Sequence, residues 1–285
     1  MNFAYSFVFG LISGNNNIVK IPTRNFTQVK LFFKLLNKVT KKKKYLIIKK
    51  KFIFIKYRKN NEISSYLSKL ADVRLIWGGN NTVKLFKKFE TKSRCLDLCF
   101  SNRVSGALIN TQSLQKLNPN DFDKLILKFY NDCYLMDQQG CSSPQVIFWY
   151  GKKNQNLIEN FWKKLGKVIN NKYSYDRSLA NKKIEIASEL ILNENNLKSI
   201  NSKNLKLLRF KRKKINSLND MNYSFGTFLE AEIKKIDEIK HLIQNEFQTL
   251  IYYGVSKNIL KNFIIQNNLK GIDRIVPFGR AFDMG

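Results

Sequence analysis

Imidazole is almost absent from this chain. His241 is the single histidine, which excludes a His-rich zinc centre and any acid–base scheme built on two imidazoles. Cysteine is nearly as scarce: Cys95, Cys99, Cys133 and Cys141 are the four present, and their spacing has none of the regularity of a disulfide framework. Long hydrophobic runs are missing too, because lysine interrupts every candidate membrane span within a few residues. The apolar stretch 1–14 has no basic segment ahead of it, so no signal peptide is expected and a reducing cytoplasm is the expected setting. Acidic residues are few, 21 Asp and Glu against 51 Lys and Arg, giving a formal net charge of +30 and a pI near 10.0.

What the chain has in quantity is apolar surface. With 285 residues and a hydrophobic fraction of 44% it can bury a sizeable core as one large domain or two intimate smaller ones, and global disorder is excluded despite the charge. The positive balance points first to nucleic acid or an anionic membrane surface. The densest basic runs, 41–51 and 209–214, are far apart and carry no recognisable RNA-binding signature. Abundant Asn, Ile, Phe and Lys also mark A+T-rich codons. The charge is therefore permissive: it favours phosphate-bearing cofactors without naming a partner.

Strands and helices alternate along most of the length, the pattern of an α/β architecture. Residues 2–14 read as a loop entering a short apolar helix and 17–21 as a short strand. Val29, Phe32, Phe33 and Leu36 are spaced for an amphipathic helix over 26–39. Residues 45–57 read as one or two strands, 62–70 as a helix, 73–77 as a strand, and 82–89 as a helix capped by Asn80 or Asn81. Further on come a strand near 106–109, a helix over 121–135 capped by Asn120, a turn-rich segment 137–144 and a strand over 145–150. Residues 170–219 are the weakest stretch, with Asn and Lys diluting any period. Strands over 227–233, 247–253 and 273–276 alternate with helices over 237–243 and 258–268.

Three segments combine residue types that carry chemistry. In Asp137-Gln138-Gln139-Gly140-Cys141-Ser142-Ser143-Pro144-Gln145 a cysteine follows glycine in a polar loop, where the backbone can approach a substrate and peptide N–H groups can face an oxyanion. Cys141 is either a thiolate nucleophile for acyl chemistry or a buried, inert side chain. The segment Ser13-Gly14-Asn15-Asn16-Asn17-Ile18-Val19-Lys20-Ile21-Pro22 places a lysine at the end of a short strand, suited to a phosphate or ribose. Leu75-Ile76-Trp77-Gly78-Gly79-Asn80-Asn81-Thr82-Val83 reads as strand, glycine turn and helix, a phosphate site in outline without the full dinucleotide-binding fingerprint.

In this order, together with Asn2-Phe3-Ala4-Tyr5-Ser6-Phe7, the segment 247–254 and Gly271-Ile272-Asp273-Arg274-Ile275-Val276-Pro277, the chain resembles the LuxC-type acyl-CoA reductases. These are the fatty-acid reductase component of bacterial luminescence operons, within the aldehyde dehydrogenase superfamily. The resemblance implies a Rossmann-like cofactor domain over 1–104, a catalytic α/β domain over 105–270, and a segment 271–285 returning towards the cofactor domain. It implies Cys141 as nucleophile, with Asn2 and the Cys141 N–H as the oxyanion hole. Lys20 matches the ribose-holding lysine, with Gly14 in the turn before it. Gly78 and Gly79 match the glycine turn beside the pyrophosphate, and Pro277-Phe278-Gly279 matches a turn near the substrate end.

The departures from the family pattern sharpen the expectation. Where hydrolytic relatives carry a water-activating Glu, the nearest match here is Leu96-Asp97-Leu98-Cys99-Phe100, with a shorter acid and no glycines, which suits an enzyme that must spare a thioester. Thr23 and Arg24 stand where NAD-preferring relatives place an acid, favouring NADPH. Tyr223 precedes Phe225-Gly226 where many relatives carry a ribose-binding Glu. The implied reaction is NADPH-dependent reduction of a long-chain fatty acyl thioester to the aldehyde through an acylated Cys141. Acyl-protein synthetase or thioesterase subunits are the implied partners, with a homo-oligomer as the full-length assembly, no metal and no nucleic acid. Asn2 directly after Met1 and the stop at Gly285 imply a piece of a longer reductase. A short-chain NAD-dependent acylating enzyme, a basic nucleic-acid-binding protein and an inactive remnant are the alternatives. His241, Cys95 and Cys99 are expected to be structural.

Overall fold

The computed structural model describes residues 2–24, 26–174, 181, 183–188, 197–212, 215–218 and 223–283. The chain divides into two compact units, Met1–Ser101 and Asn102–Gly285.

In the first unit α1 (Asn2–Ile12) leads into β1 (Asn17–Lys20), and α2 (Thr27–Thr40) and a short α3 (Leu46–Lys49) precede β2 (Phe52–Ile55). These two strands pair in parallel, Asn17 opposite Phe52 and Lys20 opposite Ile55. Phe7 of α1, buried among aromatic rings, meets Phe52 and Phe54 of β2 at 5.0 Å between centroids and Phe32 of α2 at 6.0 Å. Then come α4 (Asn61–Leu70), β3 (Val73–Trp77), α5 (Asn80–Lys87) and β4 (Leu96–Phe100), with β3 parallel to β4. Their inner face carries an ion pair between directly opposed residues, Arg74 Nε and Nη2 donating to Asp97 Oδ1 and Oδ2 at 2.7 and 2.6 Å. Their outer face carries Val73, Leu75, Trp77, Leu96, Leu98 and Phe100, all exposed, with Trp77 and Phe100 stacked at 3.9 Å.

The second unit contains β5 (Val104–Asn110), α6 (Thr111–Gln115), α7 (Pro119–Tyr134), β6 (Val146–Tyr150) and α8 (Gln155–Lys172). It continues with β7 (Leu197–Asn204), β8 (Leu207–Arg212), β9 (Thr227–Ile233), a 3-10 helix (Ile236–Leu242), β10 (Phe247–Tyr253), α9 (Lys257–Gln266) and β11 (Arg274–Pro277). The seven strands form one sheet in the order β11-β10-β5-β6-β9-β8-β7, parallel throughout except for the β7–β8 pair. One face packs on Phe129, Phe161 and Trp162 of α7 and α8, the other on Ile239, Leu242, Leu260 and Phe263. Burial on both faces is what a parallel sheet requires, and it explains the largely apolar runs of β5 and β6.

Beneath α8 one acid is fully enclosed. Glu230 of β9, 1% exposed, accepts from the indole N–H groups of Trp149 and Trp162 at 2.8 and 2.7 Å and from Arg209 Nε at 2.7 Å. Arg209 also forks onto both oxygens of Glu159. Every polar atom here has a partner, which is the condition for burying an ion pair without a large penalty.

Several sequence expectations are corrected. Of residues 45–57, expected as strand, only Phe52–Ile55 is a strand; Lys43–Tyr45 and Leu46–Lys49 are helical, since lysines on both sides of Leu46–Ile48 keep this segment at the surface. Helix α5 starts earlier than expected and is capped by Gly79 rather than Asn80 or Asn81. Helix α7 is capped by Asn118, whose side chain accepts from the Asp121 N–H, with Pro119 in the first turn where its missing donor costs nothing; Asn120 lies inside the helix. The region 170–219 contributes β7 and β8 to the sheet; the rest of it lies partly outside the described residues. Within the segment 271–285, Arg274–Pro277 adds β11 to the second unit's sheet beside β10. Among the described residues no helix is long and apolar enough to cross a membrane.

Candidate active site

The Cys141 loop joins α7 to β6 and lies at the amino ends of the parallel strands. It opens with Asp137 and Gln138 in the left-handed region, φ 53° and 57°, a conformation that costs a non-glycine residue on the order of 1 kcal/mol. The compensation is the Gln138 side chain, 1% exposed. Its amide donates to the carbonyls of Pro144 (2.8 Å) and Thr227 (2.9 Å) and accepts from the N–H groups of Gly226 (3.0 Å) and Thr227 (2.9 Å). One side chain thus ties the start of the loop to its end and to the head of β9. Tyr173 fixes Asp137 by donating to Oδ1 at 2.7 Å.

Around the cysteine itself, the Ser143 N–H donates to the Gly140 carbonyl at 2.9 Å, closing a turn. Ser105, at the head of β5, donates its hydroxyl to the Cys141 carbonyl at 2.6 Å and accepts from the Thr249 N–H at 3.1 Å. Arg274, at the head of β11, reaches the Ser142 hydroxyl at 3.4 Å and the Ala281 carbonyl at 3.0 Å. Gly140 has no room for a side chain: a Cβ there would lie 2.5 Å from the Phe282 ring. The Cys141 carbonyl and the residues on either side of it are held by hydrogen bonds, while the Cys141 side chain is exposed. Cys133 is the opposite case, fully buried with its thiol pushed well up by burial.

The turn Pro277-Phe278-Gly279 belongs to the same assembly. Phe278 is buried against Phe129, and Asp132 of α7 accepts from the N–H groups of Gly279 at 2.6 Å and Ala281 at 2.9 Å. Burial pushes the Asp132 carboxyl up to about 6, against the opposing pull of those two donors. The structure therefore brings together Cys141, Ser105, Thr249, Arg274, Gln138 and the Pro277 turn. Ser105, Gln138, Thr249 and Asp132 were not legible in advance, since apart from the Gln138–Pro144 bond their partners here are 36 to 149 positions away.

The remaining sequence-derived candidates are in the first unit. Asn2 opens α1; its side chain lies outside the described residues. Gly14 takes φ 80° in the turn before β1 with open space around it. Lys20 ends β1, exposed, with Nζ 4.9 Å from the Tyr57 ring centroid, and Thr23 and Arg24 follow it, both exposed. Gly78 and Gly79 form the β3–α5 turn; a Cβ on Gly78 would lie 2.9 Å from Thr82, and Gly79 caps α5 without any side-chain acceptor. The first N–H groups of α5 therefore face no capping side chain, the donor set a phosphate uses. The acid of the Leu96–Phe100 strand is engaged by Arg74, so Asp97 is an ion-pair partner. Cys99 shares its inward-facing side of β4, as expected of a packing residue. Tyr223 is buried, and desolvation raises its hydroxyl against the pull of Arg212. The His241 ring meets the Ile215 carbonyl at 2.9 Å.

A family model described as acyl-CoA reductase (LuxC) matches residues 2–281. The chain belongs to this family. Its fold is that of the aldehyde dehydrogenases. The LuxC-family chain is similar to a substrate-bound aldehyde dehydrogenase, AldH, of Staphylococcus aureus (TM-score 0.53, 12% identity, 79% of this chain and 50% of that one). It is also similar to 1-pyrroline-5-carboxylate dehydrogenase of Thermus thermophilus (TM-score 0.54, 12% identity, 80% and 46%) and to proline utilization A of Bradyrhizobium japonicum (TM-score 0.65, 9% identity, 96% and 28%). The chain thus spans half or less of the length of these three structures. No curated protein matches.

Proposed function

We propose that this LuxC-family chain carries the acyl-transfer centre of an NADPH-dependent reductase that converts a long-chain fatty acyl thioester to its aldehyde. The observation that carries the reading is the exposed Cys141 on a loop whose carbonyl is bound by Ser105 and whose two ends are joined by Gln138. The Cys141 thiolate attacks the thioester carbonyl, and the electron pair moves onto oxygen. Collapse of that tetrahedral oxyanion breaks the bond to the departing thiol and leaves the acyl group on Cys141. A donor fixed in advance lowers the barrier because it needs no reorganisation as charge develops; the family resemblance assigns that role to the Cys141 N–H and Asn2. With Asp97 bound to Arg74, the Leu96–Phe100 segment offers no free base to hydrolyse the acyl-enzyme.

The first unit supports a phosphate-bearing nicotinamide: the start of α5, which has no capping side chain, would hold the pyrophosphate, Lys20 the ribose, and Thr23 with Arg24 a 2′-phosphate. When bound in its reduced form, that group supplies the hydride. In the cell the acyl group would come from a synthetase or thioesterase subunit.

The test is intact-mass analysis after exposure to tetradecanoyl-CoA. One acyl adduct is expected on Cys141, lost in Cys141→Ser, with NADPH discharging it to tetradecanal faster than NADH. Labelling that survives Cys141→Ser, or a chain labelled equally by acetyl-CoA and discharged by NADH, overturns the reading.

A further inference from the structure

Residues 1–61 contain no aspartate or glutamate at all, while carrying 13 lysines and 2 arginines. Coding bias acts on the whole chain and leaves 21 acids in the other residues, so it does not account for their exclusion from this stretch. The structure shows how the charge is displayed. Helix α2 sets half-buried Phe32 and Phe33 against the aromatic cluster of α1 and β2, and Leu36 is half-buried as well. Its outer surface presents a second apolar stripe at i, i+4, i+8: Leu31, Leu35 and Val39, at 56%, 55% and 47% exposure. Lys30, Lys34 and Lys38 run alongside at the same spacing, all exposed. Beyond the helix comes the run Lys41–Lys44, and then Leu46 and Ile47 on α3, Ile47 being 75% exposed.

We propose that this face of α2 and α3 docks in the plane of an anionic lipid surface. A helix side that alternates aliphatic and lysine stripes places hydrocarbon at the acyl boundary while the lysine stems extend their ammonium groups to the headgroups. The charge is almost entirely lysine, a flexible point charge suited to a diffuse layer of headgroups; recognition of nucleic-acid phosphates favours the planar fork of arginine. Phosphate binding alone would also leave the Leu31–Leu35–Val39 stripe without a use. A second copy of this chain is disfavoured by the repulsion of two acid-free surfaces. The inference stands apart from the acyl-reductase reading, because it requires neither Cys141 nor a cofactor.

Flotation of the full chain with vesicles of phosphatidylcholine, with and without phosphatidylglycerol, tests it. Binding is expected only to the anionic vesicles and is expected to weaken as salt is added. The triple variant Leu31→Gln, Leu35→Gln, Val39→Gln should lose about tenfold in partitioning, and Lys34→Gln or Lys38→Gln about fivefold each. Ile47→Gln, at a side chain already in solvent, is the variant that leaves folding untouched and should lose about twofold. Cys141→Ser should float like the parent. Equal flotation with neutral vesicles overturns the proposal. So does full binding by the glutamine variants with unchanged circular dichroism, or an affinity for single-stranded RNA or polyglutamate that matches or exceeds that for the vesicles.

Discussion

The two units are assembled from the same alternation of strand and helix and treat it in opposite ways. In the second, α7 and α8 cover one side of the sheet while α9 and the 3-10 helix cover the other, and the polar groups inside are paired to the last atom around Glu230. In the first, β3 and β4 pair just as regularly, yet one of their two faces remains in solvent with six large apolar side chains on it. Charge divides the same way: 22 Lys and Arg against 4 Asp and Glu in the first unit, 29 against 17 in the second. Apolar patterning thus encodes strands in both units, but burial and charge neutralisation accompany it in only one. Stability should follow burial, and surface binding should follow its absence.

The sharpest break is expected in the second unit. Phe161 is fully buried, with edge contacts to Phe129, Trp149 and Trp162, so Phe161→Ala should cost about 3–5 kcal/mol, read as a shift in the urea midpoint. A loss below about 1 kcal/mol would mean that this core is not packed as described. A smaller effect is expected at Asp132, whose carboxyl is raised to about 6 from an ordinary value near 3.9. Between those values the native state keeps a proton that the unfolded chain has released, so stability should fall as pH rises from about 4 to about 6 and then level off. The amplitude should be on the order of 3 kcal/mol, and Asp132→Asn should flatten that part of the profile. The smallest effect belongs to the first unit: Leu98→Ser, on the exposed face of β4, should shift stability by less than about 0.5 kcal/mol. A cost of several kcal/mol there would show that this face is covered in solution.

The sequence was most informative where one rule dominated. Strands β3, β9 and β10 were legible to the residue because β-rich apolar runs ended at Gly or polar turns. Helix α8 has apolar residues at helical spacing through Ile158, Phe161, Trp162, Leu165 and Ile169, but it runs without a stop signal into an Asn- and Lys-rich stretch that masks its period. Leu46–Lys49 misled because Ile and Leu between lysines suit a strand or a surface helix equally. At the site, Cys141 stood out through its loop composition and the family resemblance. Gln138 gave no warning, because three of its four side-chain hydrogen bonds are to Gly226 and Thr227, 88 and 89 positions away.

The last described residues bear on when the reactive loop is finished. Arg274 reaches Ser142 across 132 positions, Asp132 holds Gly279 and Ala281 across 147 and 149, and Phe282 lies against Gly140. During synthesis Cys141 leaves the ribosome long before these contacts exist. The thiol therefore emerges on a loop that is not yet braced, and its surroundings are complete only once β11 and the turn after it have docked.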